Sequence, residues 1–127
     1  MLANLPVIPQ LRAADAKRAK RFYTDKLGLP LIMEMDGVFM VGAGKGTRLV
    51  VYQREDEGPP TNTVASWETD DIHAVARDLR ERGIKPELYD MPGVEYDEDG
   101  IATGFGMQTL WFTDSEGNVL QVVQPPA

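Results

Sequence analysis

The sequence contains no cysteine and a single histidine among its 127 residues. Without cysteine there are no disulfides, thiolate nucleophiles or thiolate metal ligands. Acidic residues outnumber Lys and Arg by 20 to 13, and the resulting formal charge of −7 repels phosphate, so nucleic acid and anionic membranes are not expected partners. No run approaches the roughly 18 apolar residues of a membrane span, and the N-terminus lacks the features of a signal peptide. We therefore expect a soluble, cytoplasmic protein.

The residues that are present are those of an ordinary globular protein. Hydrophobic residues make up 43% of the chain and charged residues 26%, which favours a packed core over disorder. At this length a chain usually forms one domain, so we predict a single domain over residues 1–127.

The order of predicted elements repeats. Amphipathic helical patterns begin after Asp15 and after Asp71, and each ends at a glycine, Gly28 or Gly83. One strand-like run precedes each helix and three follow it; in the second half these are IKPELYD, MQTLWFTD and NVLQVVQ. The capping residues are 56 positions apart and the glycines 55. We predict an α+β fold of two βαβββ modules, residues 5–54 and 61–125.

One stretch of the second half has no counterpart in the first. The segment DMPGVEYDEDGIATGFG, from Asp90 to Gly106, shows no regular pattern. Loops longer than about 12 residues in compact domains are usually functional lids or disordered segments, so this one is a candidate lid.

The segment VGAGKGTRL, residues 41–49, looks at first like a phosphate-binding loop. The pattern G-x-x-x-x-G-K requires a glycine five residues before Gly44, where the chain has Phe39, and a helix should follow. The run RLVVYQ that follows is typical of a strand. The glycines therefore predict a hairpin turn and no nucleotide site.

Three segments, RFYTDKLGL, ETDDIHAVARDLRERGI and WFTDSEGNVLQVVQ, together resemble the vicinal oxygen chelate superfamily. This group contains glyoxalase I, extradiol dioxygenases and the bleomycin-resistance proteins. The resemblance extends from about Val7 to Val123. It implies that the two modules form a cup-shaped curled sheet with helices outside, usually within a homodimer.

The resemblance also implies four positions for metal ligands. In this chain they are occupied by Ile8, Val50, Val64 and Gln121. Three apolar side chains and one neutral amide do not hold a divalent cation. We therefore predict no metal site, no other cofactor and no catalytic residue, since the chemistry of the family's enzymes depends on the metal.

Family members without these ligands, such as the resistance proteins, bind bulky natural products and sequester them. Our leading hypothesis is thus a metal-free small-molecule binding protein that sequesters an aromatic or polycyclic natural product in antibiotic self-resistance. The alternative is a glyoxalase- or dioxygenase-like lyase or isomerase that uses Glu68 or relocated metal ligands. A third possibility is an accessory subunit without a ligand.

Strand alternation selects the candidate ligand-binding residues. If Leu110 and Phe112 pack against the helices, Trp111 and Met107 lie on the other face, while Trp67 points to the core. Trp111 then either contacts the ligand or packs in the core. Glu68 either faces the ligand or lies in solvent. His73, away from the apolar stripe of its helix, is predicted to be a surface residue. The complete predicted set is Ile8, Gln10, Val50, Tyr52, Val64, Ser66, Glu68, Tyr96, Phe105, Met107, Trp111 and Gln121.

Overall fold

The structure is a computed structural model that describes residues 1–56, 58–104 and 106–126. The chain forms two compact units, Met1–Pro59 and Pro60–Ala127, and each unit contains one mixed sheet. The α+β class is confirmed. None of the helices in the described part of the chain combines the length and apolar character needed to span a bilayer.

Unit 1 contains a four-stranded sheet and one main helix. A 3₁₀ turn, Leu2–Asn4, precedes the first strand. The sheet has the order β1-β4-β3-β2, in which β1 is parallel to β4 and the other pairs are antiparallel. Its elements are β1 (Gln10–Ala13), α1 (Ala16–Arg21), β2 (Leu31–Met35), β3 (Val38–Gly42) and β4 (Arg48–Gln53).

Helix α1 begins at the predicted cap and ends in a wider turn than predicted. The Asp15 carboxylate accepts hydrogen bonds from the backbone N–H groups of Lys17 and Arg18, which satisfies donors that the first helical turn leaves unpaired. After Arg21 the chain continues as a π-helix over Phe22–Lys26, closed by the Leu27 N–H donating to the Phe22 carbonyl at 2.9 Å. This π-helix is a five-residue turn of the kind that interrupts α-helices locally.

The glycine-rich segment forms the predicted turn. A short 3₁₀ turn, Gly44–Gly46, joins the antiparallel strands β3 and β4. Lys45 is exposed and has a φ of 58°. A strand follows the glycines and no helix begins there, so this loop lacks the geometry of a phosphate site.

Unit 2 repeats the strand order of unit 1 and adds one short strand, β6, at the edge of the sheet. The sheet order is β5-β9-β8-β7-β6, with β5 parallel to β9 and the other pairs antiparallel. Its elements are β5 (Thr63–Glu68), α2 (Ile72–Glu81), β6 (Glu95–Tyr96), β7 (Ala102–Gly104), β8 (Met107–Thr113) and β9 (Val119–Gln124).

The predicted strand IKPELYD is wrong. In its place the structure has one isolated bridge, between Glu87 and Trp111. Pro86 interrupts the run, because proline has no N–H for a strand ladder. The strands lie instead inside the candidate lid, whose residues 95–104 form the β6–β7 hairpin on the edge of the sheet.

Each unit has an equivalent hydrogen bond between its last strand and the start of its helix. The Gln53 Oε1 atom accepts from the Ala16 N–H at 3.0 Å, and the Gln124 Oε1 atom accepts from the Ile72 N–H at 2.9 Å. In both units a glutamine at the end of the last strand thus reaches the first residue of the helix. The same face of β8 and β9 holds the buried side chains Leu110, Phe112, Leu120 and Val122.

The opposite side of the unit 2 sheet is here called the open face. Strand alternation and register place Ser66, Thr109, Trp111, Gln121 and Val123 on it. Trp67, one residue after Ser66, lies on the helix side and stacks on Phe112 with ring centroids 6.2 Å apart. The predicted separation of Trp67 from Trp111 is therefore confirmed.

Candidate functional site

Three aromatic rings meet on the open face of unit 2. The ring centroids of Tyr89 and Trp111 are 5.8 Å apart and those of Tyr96 and Trp111 are 6.5 Å apart. Both tyrosine rings stand at steep angles to the indole, 75° and 62°, which is the favoured edge-to-face arrangement. The Tyr96 hydroxyl donates to the Tyr89 carbonyl at 2.6 Å, so the two tyrosines also hold each other.

A polar pair lies beside the aromatic cluster. Gln121 is the register partner of Trp111 on one side and of Ser66 on the other. Its side-chain amide donates to the Ser66 hydroxyl at 3.1 Å. The amide oxygen of Gln121 and the hydroxyl hydrogen of Ser66 are therefore both available to a ligand, side by side on the neighbouring strands β9 and β5 and next to a partly exposed indole ring.

Tyr89 remains a neutral phenol under ordinary conditions. Burial raises the pKa of Tyr89, and the negative charge of Glu87 and the neighbouring Tyr96 raise it further. Tyr89 therefore keeps its O–H donor throughout the physiological pH range.

The other predicted residues of unit 2 lie around this cluster or away from it. Glu68 is exposed at the end of β5, and Val64 is half-buried on the same strand. Met107 is 39% exposed at the start of β8. Phe105 lies outside the described residues.

In unit 1 the structure brings three predicted residues onto one face. Gln10 is the register partner of Val50, and Tyr52 follows two residues later on the same strand. Ile8 is half-buried and precedes β1. These side chains lie on the side of the sheet opposite Gln53 and α1, as alternation predicts.

Two residues were missed by the sequence reasoning. Tyr89 belongs to the run assigned to a strand, where its contact with Trp111 is visible only once the bridge between Glu87 and Trp111 is known. Arg12 is 8% exposed, pairs in register with Tyr52, and donates to the Arg54 carbonyl at 2.8 Å. The alternation that selected Gln10 also selects Arg12, and that signal was available in the sequence.

The four positions that hold the metal in the family do not fit a metal in this chain. Ile8, Val50 and Val64 carry no donor atom, and the Gln121 amide is engaged with Ser66. In the described residues, one group of three His and acidic side chains is close enough to share a cation: His73, Asp97 and Asp99, whose ligand atoms lie within 4.8 Å of one another. The Arg80 guanidinium is bonded to Asp99, and its positive charge opposes a cation there.

Unit 1 contains a cavity apart from all these residues. It has a volume of about 310 Å³ and lies between the start of α1 and the β2–β3 turn. Its lining consists of Ala16, Lys17, Glu34, Met35, Asp36, Gly37, Val38 and Phe39. None of the predicted ligand-binding residues lines it.

Comparison with known proteins gives a family and a fold. The model of the Glyoxalase/Bleomycin resistance protein/Dioxygenase superfamily matches residues 7–122. Among curated proteins, no sequence matches this chain. Many solved structures resemble it, all of those described below at less than 25% identity.

A bleomycin resistance determinant encoded on the transposon Tn5 superposes with a TM-score of 0.73 at 19% identity, covering 98% of this chain and 100% of the other. The antibiotic-binding protein TnmS3 from a Streptomyces species superposes with a TM-score of 0.67 at 23% identity, covering 96% of this chain and 98% of the other. A lactoylglutathione lyase from Agrobacterium tumefaciens superposes with a TM-score of 0.67 at 15% identity, covering 95% of this chain and 93% of the other. At these identities the likeness establishes the fold, and it includes binding proteins as well as an enzyme.

Proposed function

Because the chain belongs to the Glyoxalase/Bleomycin resistance protein/Dioxygenase superfamily, we propose that it is a metal-free binding protein. It sequesters an aromatic or polycyclic natural product and protects its host, as in antibiotic self-resistance. The similar structures that are described as a bleomycin resistance determinant and an antibiotic-binding protein support this class of function.

The observation that carries the proposal is the aromatic cluster on the open face of unit 2. A partly exposed indole with two tyrosines standing edge-on offers a flat apolar surface to a planar ring. The Ser66–Gln121 pair beside it offers hydrogen bonds to a carbonyl or hydroxyl on the edge of that ring. Binding sites for small molecules typically combine apolar walls with a few such oriented polar groups.

The same cluster offers little to an enzyme. Glu68, the carboxylate of the alternative hypothesis, is exposed at a strand end. A general acid or base is usually held in a partly dry environment that adjusts its pKa. The exposed position of Glu68 favours a solvated carboxylate over a proton-transfer group. We therefore prefer the binding hypothesis to the lyase or isomerase hypothesis.

Isothermal titration calorimetry with a planar anthraquinone antibiotic tests the proposal. The chain offers a matched pair of variants, because Trp111→Phe and Trp67→Phe make the same change on opposite faces of one sheet. Trp111→Phe should weaken binding about three- to tenfold, since an aromatic contact contributes roughly 0.5–1.5 kcal/mol beyond its area. Trp67→Phe should leave the affinity unchanged while lowering the stability of the core.

Equal affinities for the two variants would place the ligand elsewhere and contradict the proposal. Native mass spectrometry of protein purified from its own producer is the second arm, because a co-purified aromatic compound would identify the ligand class. Turnover that is lost with Glu68→Gln, or on treatment with a chelator, would instead favour a lyase or isomerase.

We also propose that the protein is a homodimer, as is usual in the family. The exposed apolar side chains of β2, Leu31, Ile32 and Met35, are consistent with a further contact surface in unit 1. Native mass spectrometry should then give twice the subunit mass of 14.1 kDa. A monomer at micromolar concentration would contradict this part of the proposal.

A further inference from the structure

The turn between β6 and β7 is attached to helix α2 through one carboxylate. The Asp99 Oδ1 atom accepts a hydrogen bond from the Arg80 guanidinium at 2.5 Å, and its Oδ2 atom lies 3.7 Å from the His73 Nδ1 atom. Arg80 lies in the last turn of α2 and His73 in the first. Asp99 therefore connects the hairpin to both ends of the helix.

The turn that presents Asp99 is well defined by its own hydrogen bonds. The Asp97 N–H donates to the Ile101 carbonyl at 3.0 Å, and the Asp97 carboxylate accepts from the N–H groups of Asp99 and Ile101 at 2.9 Å each. Ile101 is fully buried. Because these hydrogen bonds hold the turn together, the position of Asp99 also determines the position of β6.

β6 itself has little backbone pairing. It contains two residues, Glu95 and Tyr96, and it is the edge strand, paired with β7 alone. Tyr96 supplies one of the three rings of the aromatic cluster and lies three residues before Asp99. An edge strand of this length has few backbone hydrogen bonds and is expected to open locally at low free-energy cost.

We propose that Asp99 is a positioning residue for the ligand site: its contacts with Arg80 and His73 hold the β6–β7 hairpin so that Tyr96 stands beside Trp111. The proposal rests on the proposed function in that the cluster is taken as the place where the ligand binds. Release of Asp99 loosens the hairpin and opens the cluster, so the same contact controls ligand entry and retention.

The charges around Asp99 determine when the contact is made. Arg80 and His73 face it from α2, and Asp97 faces it from the turn. The hydrogen bond from Arg80 lowers the pKa of Asp99 in spite of partial desolvation, and the charge of Arg80 and the contact with His73 lower it further. The depressed pKa means that the contribution of Asp99 is complete above about pH 4 and is lost as the pH falls through the folded-state pKa. Salt should weaken the contact because these groups are exposed.

Hydrogen exchange of the ligand-free protein tests the inference first. In Asp99→Asn the amides of residues 95–104 should exchange about two- to fivefold faster, and those of β9 should not change. Asp78→Asn is the matched control, because the carboxylate of Asp78 in α2 forms an ion pair at 2.9 Å with Arg82, the residue that follows the helix. It should leave the hairpin amides unchanged. Equal exchange of the hairpin in Asp99→Asn and the parent would overturn the inference.

A second readout reports the cluster itself without a ligand. In a Trp67→Phe background the remaining tryptophan is Trp111, and its emission should shift to longer wavelength when Asp99→Asn lets Tyr96 move away. The same shift should appear at high salt in the Trp67→Phe protein that retains Asp99. Combining Asp99→Arg with Arg80→Glu restores the opposite charges and should recover both the emission and the exchange rates of the parent. Faster exchange with unchanged emission would show that Asp99 does not position Tyr96.

Binding of the planar anthraquinone separates the two proposals. If the parent binds it, Asp99→Asn should weaken binding several-fold through faster dissociation, and an unchanged affinity would overturn the positioning role. If the parent does not bind it, the proposed function fails, while exchange and emission still decide whether Asp99 holds the hairpin.

Discussion

At the scale of single residues, Gly100 is a position in unit 2 that has no room for a side chain. Its φ is +80°, and a Cβ atom built there would lie 2.5 Å from Pro86 Cγ. Gly100→Ala should therefore lower the free energy of unfolding by about 2 to 4 kcal/mol, combining left-handed backbone strain with overpacking. Urea denaturation followed by far-ultraviolet circular dichroism measures the loss.

Gly58→Ala is the control for this change. Gly58 does not have a positive φ, and no heavy atom lies within 4 Å of the added Cβ. We expect it to be neutral or slightly stabilising. Pro86→Gly removes both ring atoms that the added Cβ would meet, Cγ at 2.5 Å and Cβ at 2.7 Å. In a Pro86→Gly background, Gly100→Ala should cost less than in the parent by the part that comes from the clash; an unchanged cost would mean that strain at Gly100 accounts for the whole effect.

Tyr89 provides a pH-dependent signature of the aromatic cluster. Its pKa is raised by burial first and by Glu87 and Tyr96 next, so the folded protein favours the neutral phenol. The stability that this adds is complete below the unfolded pKa of about 10 and is lost as the pH rises through the higher folded value. The difference in tyrosinate absorbance between the parent and Tyr89→Phe should show one step above pH 10. A step at or below that pH would contradict the packing described for Tyr89.

At the scale of elements, each main helix depends on a glutamine from the last strand of its unit. Gln124→Ala leaves the Ile72 N–H without its acceptor, and Gln53→Ala does the same to Ala16. Each change should cost about 1 kcal/mol, the usual contribution of one helix-terminal hydrogen bond. Thermal unfolding should show a similar loss of stability for both variants. Gln108→Ala, on the strand next to Gln124, is the control and should cost less. A much larger loss for one glutamine would show that the two contacts are not equivalent.

The elements that the sequence predicts well are those with strong local signals. Asp15 and Asp71 cap their helices as expected, and the glycines between β3 and β4 form the turn. The strands of the candidate lid were missed because β6 has two residues and β7 has three, too few for an alternating pattern to be recognised, and β7 ends in a glycine. Their pairing depends on β8, which is a tertiary contact that no local pattern records.

At the scale of the whole molecule, the family and the α+β class follow from the sequence, and the site follows in part. Alternation along β8 and β9 places Trp111 and Gln121 on one face, as predicted. The partners of Trp111 depend on two loops, and the loop conformation that brings Tyr89 to the indole is not encoded by periodicity. Residues on regular strands were thus predictable, whereas contacts supplied by loops were not.

The π-helix after α1 accounts for a difference in length between the two helical segments. The helix caps are one position further apart than the glycines that follow the helices, so the first module has one residue more than the second between these points. The five-residue turn Phe22–Lys26 is wide enough to accommodate that residue before β2 begins. The extra residue is therefore taken up at the end of the helix, and the same order of strand, helix and following strands continues in both units.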